Sequence, residues 1–541
     1  MKYYFLLVSI LLLCSSCKDV ENAAADSQRP NIIFIMSDDH AYQAISAYGG
    51  DLIQTPNIDR IADEGIMFTN ACVSNSICAP SRATILTGKH THIHGKIDNI
   101  FPFDTTQVTF PQIMQKNGYK TAMFGKLHFG NNPKGVDDFM ILPGQGNYIN
   151  PRFITKDKDT IINGYVTDII TDLSIDWLKK EGNDTDPFML MYLHKAPHRP
   201  WWPRADKFKE FSTKQFPEPA SLFDDYSNRG SAAKTAEMNL LNHMMYSHDS
   251  KVRPETIAEM GEAVTPQVPE FRNSFYGPYN RATETQKAAY QPVLDSINNF
   301  FRANWPTMTD EEKMRWKYQR YMQDYLACIS SVDDNIGRLL DYLDESGLAE
   351  NTLVIYTSDQ GFYLGEHGWF DKRFIYDESF KTPLVARWPN VIKAGSQEDE
   401  MVQNLDFAQT LLDVAGIKQP EDMQGESLLP LLKGDKENWS RDAVYYHYYE
   451  YPAVHMVKRH YGLVTKEYKL AHFYYDVDEW ELYDRLKDPN EMNNVYDDVA
   501  YQDVVTQLKV QLQELRVKYK DSAALDKRYI ELYKEKGIIK E

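Results

Sequence analysis

The chain has 541 residues, too many for one small core, and its 43% aliphatic and aromatic and 25% charged content is that of a folded protein of enzyme size, with about two to four domains. A formal net charge of −19, without a basic stripe or tail, sets nucleic acid aside as a partner because a phosphate backbone repels such a surface. An anionic substrate would have to be held by a local cluster of Lys, Arg, His and metal.

Met1 to Cys17 reads as an export signal: Lys2 is the basic start, Tyr3 to Leu13 an apolar run too short to span a bilayer, and Ser15 and Ser16 precede Cys17. The Ser-Ser-Cys ending and the polar linker at 18–28 resemble a bacterial lipoprotein signal with Cys17 as the lipidated residue. Cys14 sits where leucine is preferred, and cleavage near Ser16 without a lipid is the alternative. The expected location is outside the cytoplasm, in the periplasm or as an outer-membrane or cell-surface lipoprotein, with membrane contact only through that anchor. Cys72, Cys78 and Cys328 remain after the signal, an odd number without zinc-site or disulfide spacing.

"NIIFIMSDDH" then predicts a strand over Ile32 to Met36, buried on both faces and stopping at Asp38 and Asp39. "TPNIDRIADEG" predicts a helix with Thr55 as N-cap, Pro56 in the first turn and Gly65 as the stop. "TFPQIMQKNG" and "YKTAMFGKLHFG" repeat helix and strand, the strand closing on Lys126 and His128. "YVTDIITDLSIDWLKK" is a helix by its Val166, Ile169, Ile170, Leu173, Trp177 face, and "PFMLMYLHKAPH" a buried strand leading to His198. The stretch 216–317 is polar and weakly periodic, an insertion expected to carry short helices. "ISSVDDNIGRLLDYLDESG" is helical, and "NTLVIYTSDQG" is a strand breaking at Asp359 and Gln360.

This alternation predicts an α/β fold: a large, mainly parallel sheet flanked by helices, with polar groups gathered at the carboxyl ends of its strands. The texture changes near 434–442 to hairpin-like strands and a helix through Val504, Val505, Leu508, Leu512 and Leu515. The expected organisation is a signal at 1–17, a linker at 18–28, a catalytic domain at 29–435 and a smaller α+β domain at 436–541. Asp38, Asp39, Asp359 and Gln360 offer hard oxygen ligands from two strand ends, suited to Ca²⁺ or Mg²⁺. Lys126 and Lys372, taken singly, read as solvated loop residues.

Cys78-Ala79-Pro80-Ser81-Arg82 is similar to the C-x-P-S-R element of the type I sulfatases of the alkaline-phosphatase-like superfamily, in which that cysteine is oxidised to formylglycine by a maturation enzyme. "SDDH", "GKLHFG", "APH", "SDQG" and "FDK" follow the order of that family from Asn31 to about Pro389, and "ELYDRLKDPNEMNN" resembles its late signature. "HKAPHRPWWP" and "YLGEHGWFDKRFIYDESFKTPLVARWP" look most like N-acetylglucosamine-6-O-sulfatases.

The resemblance implies a sulfatase acting on the 6-O-sulfate of glucosamine or N-acetylglucosamine in a glycosaminoglycan or mucin glycan. Ca²⁺, with Mg²⁺ as the other candidate, would be held by Asp38, Asp39, Asp359, Gln360 and the modified Cys78. Gln360 departs from the family's usual Asn, which bears on ligand geometry. Arg82 would hold the aldehyde hydrate and Asp359 help activate it; Lys126 and Lys372 would neutralise sulfate oxygens. His198 would protonate the leaving sugar oxygen and His128 take the second hydrate proton. An unmodified thiol attacking sulfur would leave a stable adduct, whereas an aldehyde hydrate can collapse and expel sulfate. If "PSRATILTG" starts a helix, position 78 lies at its positive end.

Sugar contacts are expected from Asp371, from Trp201 as a stacking face beside Trp202, and from His455, Arg459 and His460 on a loop of the second domain. Competing readings are a sulfatase for another glycan position, a phosphodiesterase or phosphonate hydrolase of the same superfamily, and an inactive glycan-binding surface protein.

Overall fold

The computed structural model describes residues 29–182, 186–261 and 274–539. The expected signal and linker lie outside the described residues, and none of the described helices is long and apolar enough to cross a membrane.

Uninterrupted apolar runs become the inner strands of an eight-stranded sheet. In chain order these strands are β1 (Asn31–Ser37), β2 (Ile66–Phe68), β3 (Lys120–Gly125), β4 (Asp138–Ile141), β5 (Phe188–Leu193), β6 (Thr352–Ser358), β7 (Leu384–Arg387) and β8 (Ser396–Glu398). Their spatial order is β8-β2-β7-β6-β1-β5-β3-β4. β6, β1, β5, β3 and β4 run parallel, with Ile32 beside Met189 on one side and Leu353 on the other. β7 departs from the predicted pattern, running antiparallel to both β6 and β2. A parallel return needs a crossover helix, and the segment from 359 to 383 carries only single-turn helices.

Side chains of β1 alternate between two cores, Ile33 and Ile35 facing one and Ile32, Phe34 and Met36 the other. The first core is roofed by α1 (Pro56–Asp63), α4 (Val166–Glu181) and the 37-residue α6 (Asp310–Ser346); α2 (Cys78–Thr87) and α3 (Phe110–Lys116) lie on the other face. Full burial of each such Ile or Phe contributes about 1.5–3 kcal/mol. Thr55 precedes α1 as predicted, but its hydroxyl donates to Asp59 Oδ1 (3.0 Å). The free N–H groups of Asn57 and Ile58 go instead to Asp333 Oδ1 on α6, at 3.0 and 2.9 Å.

The expectation of short helices in 216–317 holds only up to Tyr279. A 21-residue α5 (Glu284–Asn304) follows, and α6 begins inside the stretch. Tyr290, Val293, Leu294, Ile297 and Phe301 bury one face of α5, but Pro292 and the exposed Phe300 blur that spacing in the sequence. The later part of the chain forms an antiparallel sheet of β9 (Ala443–Tyr448), β10 (His460–Thr465), β11 (Tyr468–Phe473) and β12 (Glu479–Asp484), followed by α7 (Gln502–Lys518) and α8 (Ala523–Glu535).

Candidate active site

The polar groups converge where the central strands end. β1 delivers Asp38 and Asp39, and Asp39, at φ 66°, donates its N–H to Asp359 Oδ1 from the end of β6 (3.1 Å). β3 ends at Gly125, whose φ of 109° and whose absent Cβ, which would lie 1.8 Å from the Leu193 carbonyl, let the chain deliver Lys126 inward. Cys78 is the first residue of α2, preceded by extended Ile77, and Pro80 stands in the first turn, where its missing N–H would have had no helical partner. The Ala79 N–H in the same turn donates to Asn99 Oδ1 (3.2 Å). The thiol faces the carboxylates, with Asp39 Oδ1 3.9 Å from its sulfur.

Three cations answer three carboxylates, all at most 2% exposed. Arg82, one turn after Cys78, gives Nε to Asp359 Oδ2 (2.9 Å) and Nη1 to the Lys126 carbonyl, with Nη2 3.4 Å from Asp38 Oδ1. Lys126 Nζ pairs with Asp38 Oδ2, and Lys372 Nζ lies 2.8 Å from both Asp39 oxygens. Burial pushes the Asp38 carboxyl up, but Lys126, His198 and Arg82 together hold it well below the usual range. Burial prevails over Lys372 at Asp39 and over Arg82 at Asp359, which is pushed up to about 7. His198 Nε2 lies 3.7 Å from Asp39 Oδ2 while Nδ1 faces the Arg199 carbonyl; burial and Lys126 favour its neutral form. His128, at φ 66°, is driven the same way by burial and by Lys126.

Oxygen donors of Asp38, Asp39 and Asp359 all lie within 4.8 Å of one another. Gln360 points its amide nitrogen at Asp39; among the described residues its buried Oε1 has no partner and Asp38 Oδ1 accepts no hydrogen bond. A half-turn of the Gln360 amide presents its oxygen to the carboxylates, giving four protein groups whose hard oxygens fit a divalent cation.

Of the residues expected to touch sugar, Asp371 and His455 come together, Asp371 Oδ2 lying 3.3 Å from His455 Nε2. Lys372, His455 and neighbouring Arg373 outweigh burial and hold the Asp371 carboxyl well below the usual range. The other three are fully buried. Trp201 is fully buried, its ring 4.7 Å from that of Tyr321, so no face is open to a pyranose; Trp202 is likewise buried against Phe275 and Tyr290. Arg459 is buried over the Tyr533 ring and donates Nε to the Tyr451 carbonyl. His460 is held at both nitrogens, Nδ1 by the Lys458 carbonyl and Nε2 by the Ile375 N–H.

Sequence reasoning passed over Arg199, Arg373, Asn99 and Glu450. Arg373 Nε donates to Asp371 Oδ1 (3.0 Å) and Nη1 to Glu450 Oε1 (2.8 Å), while Glu450 Oε2 accepts the Asn99 N–H (2.8 Å). The available signal was adjacency, since Arg199 follows His198 and Arg373 follows Lys372.

The sulfatase family profile matches residues 30–417, and a profile described as N-sulphoglucosamine sulphohydrolase, C-terminal, matches 365–518. The chain belongs to the sulfatase family. It is thus a hydrolase of sulfate esters. This sulfatase is 46% identical over 518 residues to the N-acetylglucosamine-6-O-sulfatase of Bacteroides thetaiotaomicron, covering 94% of this chain and 90% of that one. It is 25% identical to the human N-acetylglucosamine-6-sulfatase over 80% of this chain and 70% of that one. A solved structure of a protein in complex with its substrate D-glucosamine-2-N,6-O-disulfate superposes with TM-score 0.86 at 46% identity, covering 92% of this sulfatase and 99% of that chain. The phosphonate monoester hydrolase of Agrobacterium radiobacter, at 21% identity and TM-score 0.65 over 91% of this chain and 96% of that one, shares the fold.

Proposed function

We propose that this sulfatase removes the 6-O-sulfate of N-acetylglucosamine or glucosamine residues in glycosaminoglycan or mucin-type glycans outside the cytoplasm. The placement of position 78 at the buried N-terminus of α2, facing the three carboxylates and Lys372, carries the reaction class. The 46% identity to an N-acetylglucosamine-6-O-sulfatase supports the position of the ester.

Burial raises the Cys78 thiol well above its ordinary value, against the pull of Lys372, so a thiolate is scarce at neutral pH. That supports oxidation by a formylglycine-generating enzyme, which supplies an aldehyde whose hydrate carries an oxygen nucleophile and can later expel sulfate. Asp38, Asp39, Asp359 and Gln360 would hold the cation, for which an all-protein oxygen set favours Ca²⁺ over the more strongly hydrated Mg²⁺. Such an ion supplies positive charge that polarises sulfate oxygens and acidifies a hydroxyl beside it.

The chain's own groups do the rest. Asp359, pinned by Arg82, accepts a proton at its carboxylate. Lys126 and Lys372 set ammonium groups against the charge that grows on the sulfate oxygens. With Nδ1–H committed to the Arg199 carbonyl, His198 delivers a proton from Nε2 to the leaving sugar oxygen only as the imidazolium, and His128 receives one when sulfate departs. The charged Asp371 accepts hydroxyl hydrogen bonds from the sugar. Export and a lipid on Cys17 complete the proposal.

The test is release of free sulfate from glucosamine derivatives sulfated separately at N, O3 and O6, using matured protein with its Cys78→Ala variant as control. Release from the O6 ester, abolished in the variant, is the expected result. Release from the O3 ester alone overturns the specificity, and full activity of the variant overturns the nucleophile.

A further inference from the structure

Asp249 belongs to the insertion, far in sequence from every residue of the reaction, yet it is 1% exposed and forms a two-pronged ion pair. Its Oδ1 accepts Arg199 Nε (3.0 Å) and its Oδ2 accepts Arg199 Nη2 (2.7 Å), a fork that fixes the guanidinium plane as well as its place. The same Oδ2 accepts the Met245 N–H (2.8 Å), anchoring the carboxylate itself.

The fixed guanidinium lies 4.9 Å over the Phe370 ring and turns its remaining nitrogen, Nη1, toward His455 Nε2 at 3.2 Å. His455 donates Nδ1–H to the Glu237 carbonyl (2.8 Å), also in the insertion, so Nε2 is left between Arg199 and Asp371. His455 adopts a φ of 67°, a left-handed conformation uncommon for a residue with a side chain. One direct contact from the insertion, the Glu237 carbonyl, and one relayed from Asp249 through Arg199 therefore set the imidazole that stands against the carboxylate read above as sugar-facing.

We infer that Asp249 is a positioning residue for saccharide binding: it holds Arg199 against His455, whose imidazole stands at Asp371, making the insertion a wall of the sugar site. The inference rests on the reading of Asp371 as a sugar contact. With Asp249 neutralised, Arg199 loses its orienting fork and the Arg199–His455–Asp371 contact loosens, while the distances among Cys78, Asp39, Asp359 and Lys372 do not depend on it.

The experiment compares the wild type with Asp249→Asn, Asp249→Glu, Arg199→Gln and the Arg199→Gln/Asp249→Asn double variant, on N-acetylglucosamine 6-sulfate and on 4-nitrophenyl sulfate, with a thermal melt for each protein. For Asp249→Asn the expected result is a rise in saccharide KM of about tenfold with kcat reduced less than about threefold. The ratio of saccharide to aryl-sulfate kcat/KM then falls about tenfold, Asp249→Glu recovers part of it, and the double variant is no worse than Arg199→Gln alone. Equal losses on both substrates, an unchanged saccharide KM, or additive losses in the double variant overturn the inference while leaving the 6-O-sulfatase reading intact. A wild type that cleaves the aryl sulfate and leaves the 6-sulfated sugar untouched overturns that reading, and this inference with it.

Discussion

Gln360 adds a neutral oxygen donor beside three carboxylates, and its buried Oε1 has no partner among the described residues. Binding of a divalent cation to the folded chain alone adds stability, about 2.7 kcal/mol at a hundredfold excess over the dissociation constant. Thermal melts should therefore fall by roughly 5 °C when EDTA replaces Ca²⁺. Gln360→Leu should need about tenfold more Ca²⁺ for the same rise in midpoint, because a ligand is gone while the carboxylates stay. Asp38, Asp39, Asp359 and Gln360 were readable in the sequence because each interrupts an apolar strand, a contrast that survives without any knowledge of tertiary contacts. Arg459 and His460 look like an exposed basic turn for the opposite reason. Their burial depends on Tyr533 from α8 and on the Ile375 backbone, which no local pattern announces. Trp201 misled in the same way, since an aromatic close to His198 reads alike whether its face meets sugar or Tyr321.

At the level of elements, α6 joins the sheet to the insertion through a buried amine. Lys317 is fully buried and donates to the Leu241 and Met244 carbonyls, both at 2.6 Å, with no carboxylate in the pair. Burial pulls its pKa down to about 7 from an ordinary 10.5, with Asp249 opposing. Between those values the unfolded chain binds the proton that the folded chain has released, so this residue's contribution to stability rises with pH across the window. Below pH 7 the charge sits in the folded protein at full cost. Urea midpoints measured at pH 7.0 and 9.5 should thus rise further in the wild type than in Lys317→Met. The strands, α1 and α4 were legible from period and caps, whereas α5 was hidden by its own Pro292. The partners that organise the insertion, Asp249 with Arg199 and Lys317 with two carbonyls, are separated by stretches in which spacing carries no signal.

Across the whole molecule, the catalytic sheet and the later antiparallel sheet share buried charges. Asp377, in the segment after β6, binds Lys469 Nζ on β11 (2.7 Å), Arg485 Nη2 just past β12 (2.9 Å) and Lys381 Nζ (3.0 Å). Those three cations outweigh burial and hold its carboxyl well below the usual range, so its support is present above pH 4 and lost as acid titrates it. Asp377→Asn should cost about 1.5–3 kcal/mol by removing charged hydrogen bonds to Lys469 and Arg485, Lys469 keeping its pair with Glu491. Denaturation followed by fluorescence and by activity should remain a single coincident transition at lower urea, because no separate unit is left to melt alone. Such tight integration has a temporal consequence for α2, in which every residue from Cys78 to Thr87 is buried. A biosynthetic catalyst as large as a protein has no path to the sulfur once the helix is enclosed. If Cys78 is oxidised as proposed, its conversion belongs to the interval between synthesis and folding, and a chain that folds too soon keeps its thiol.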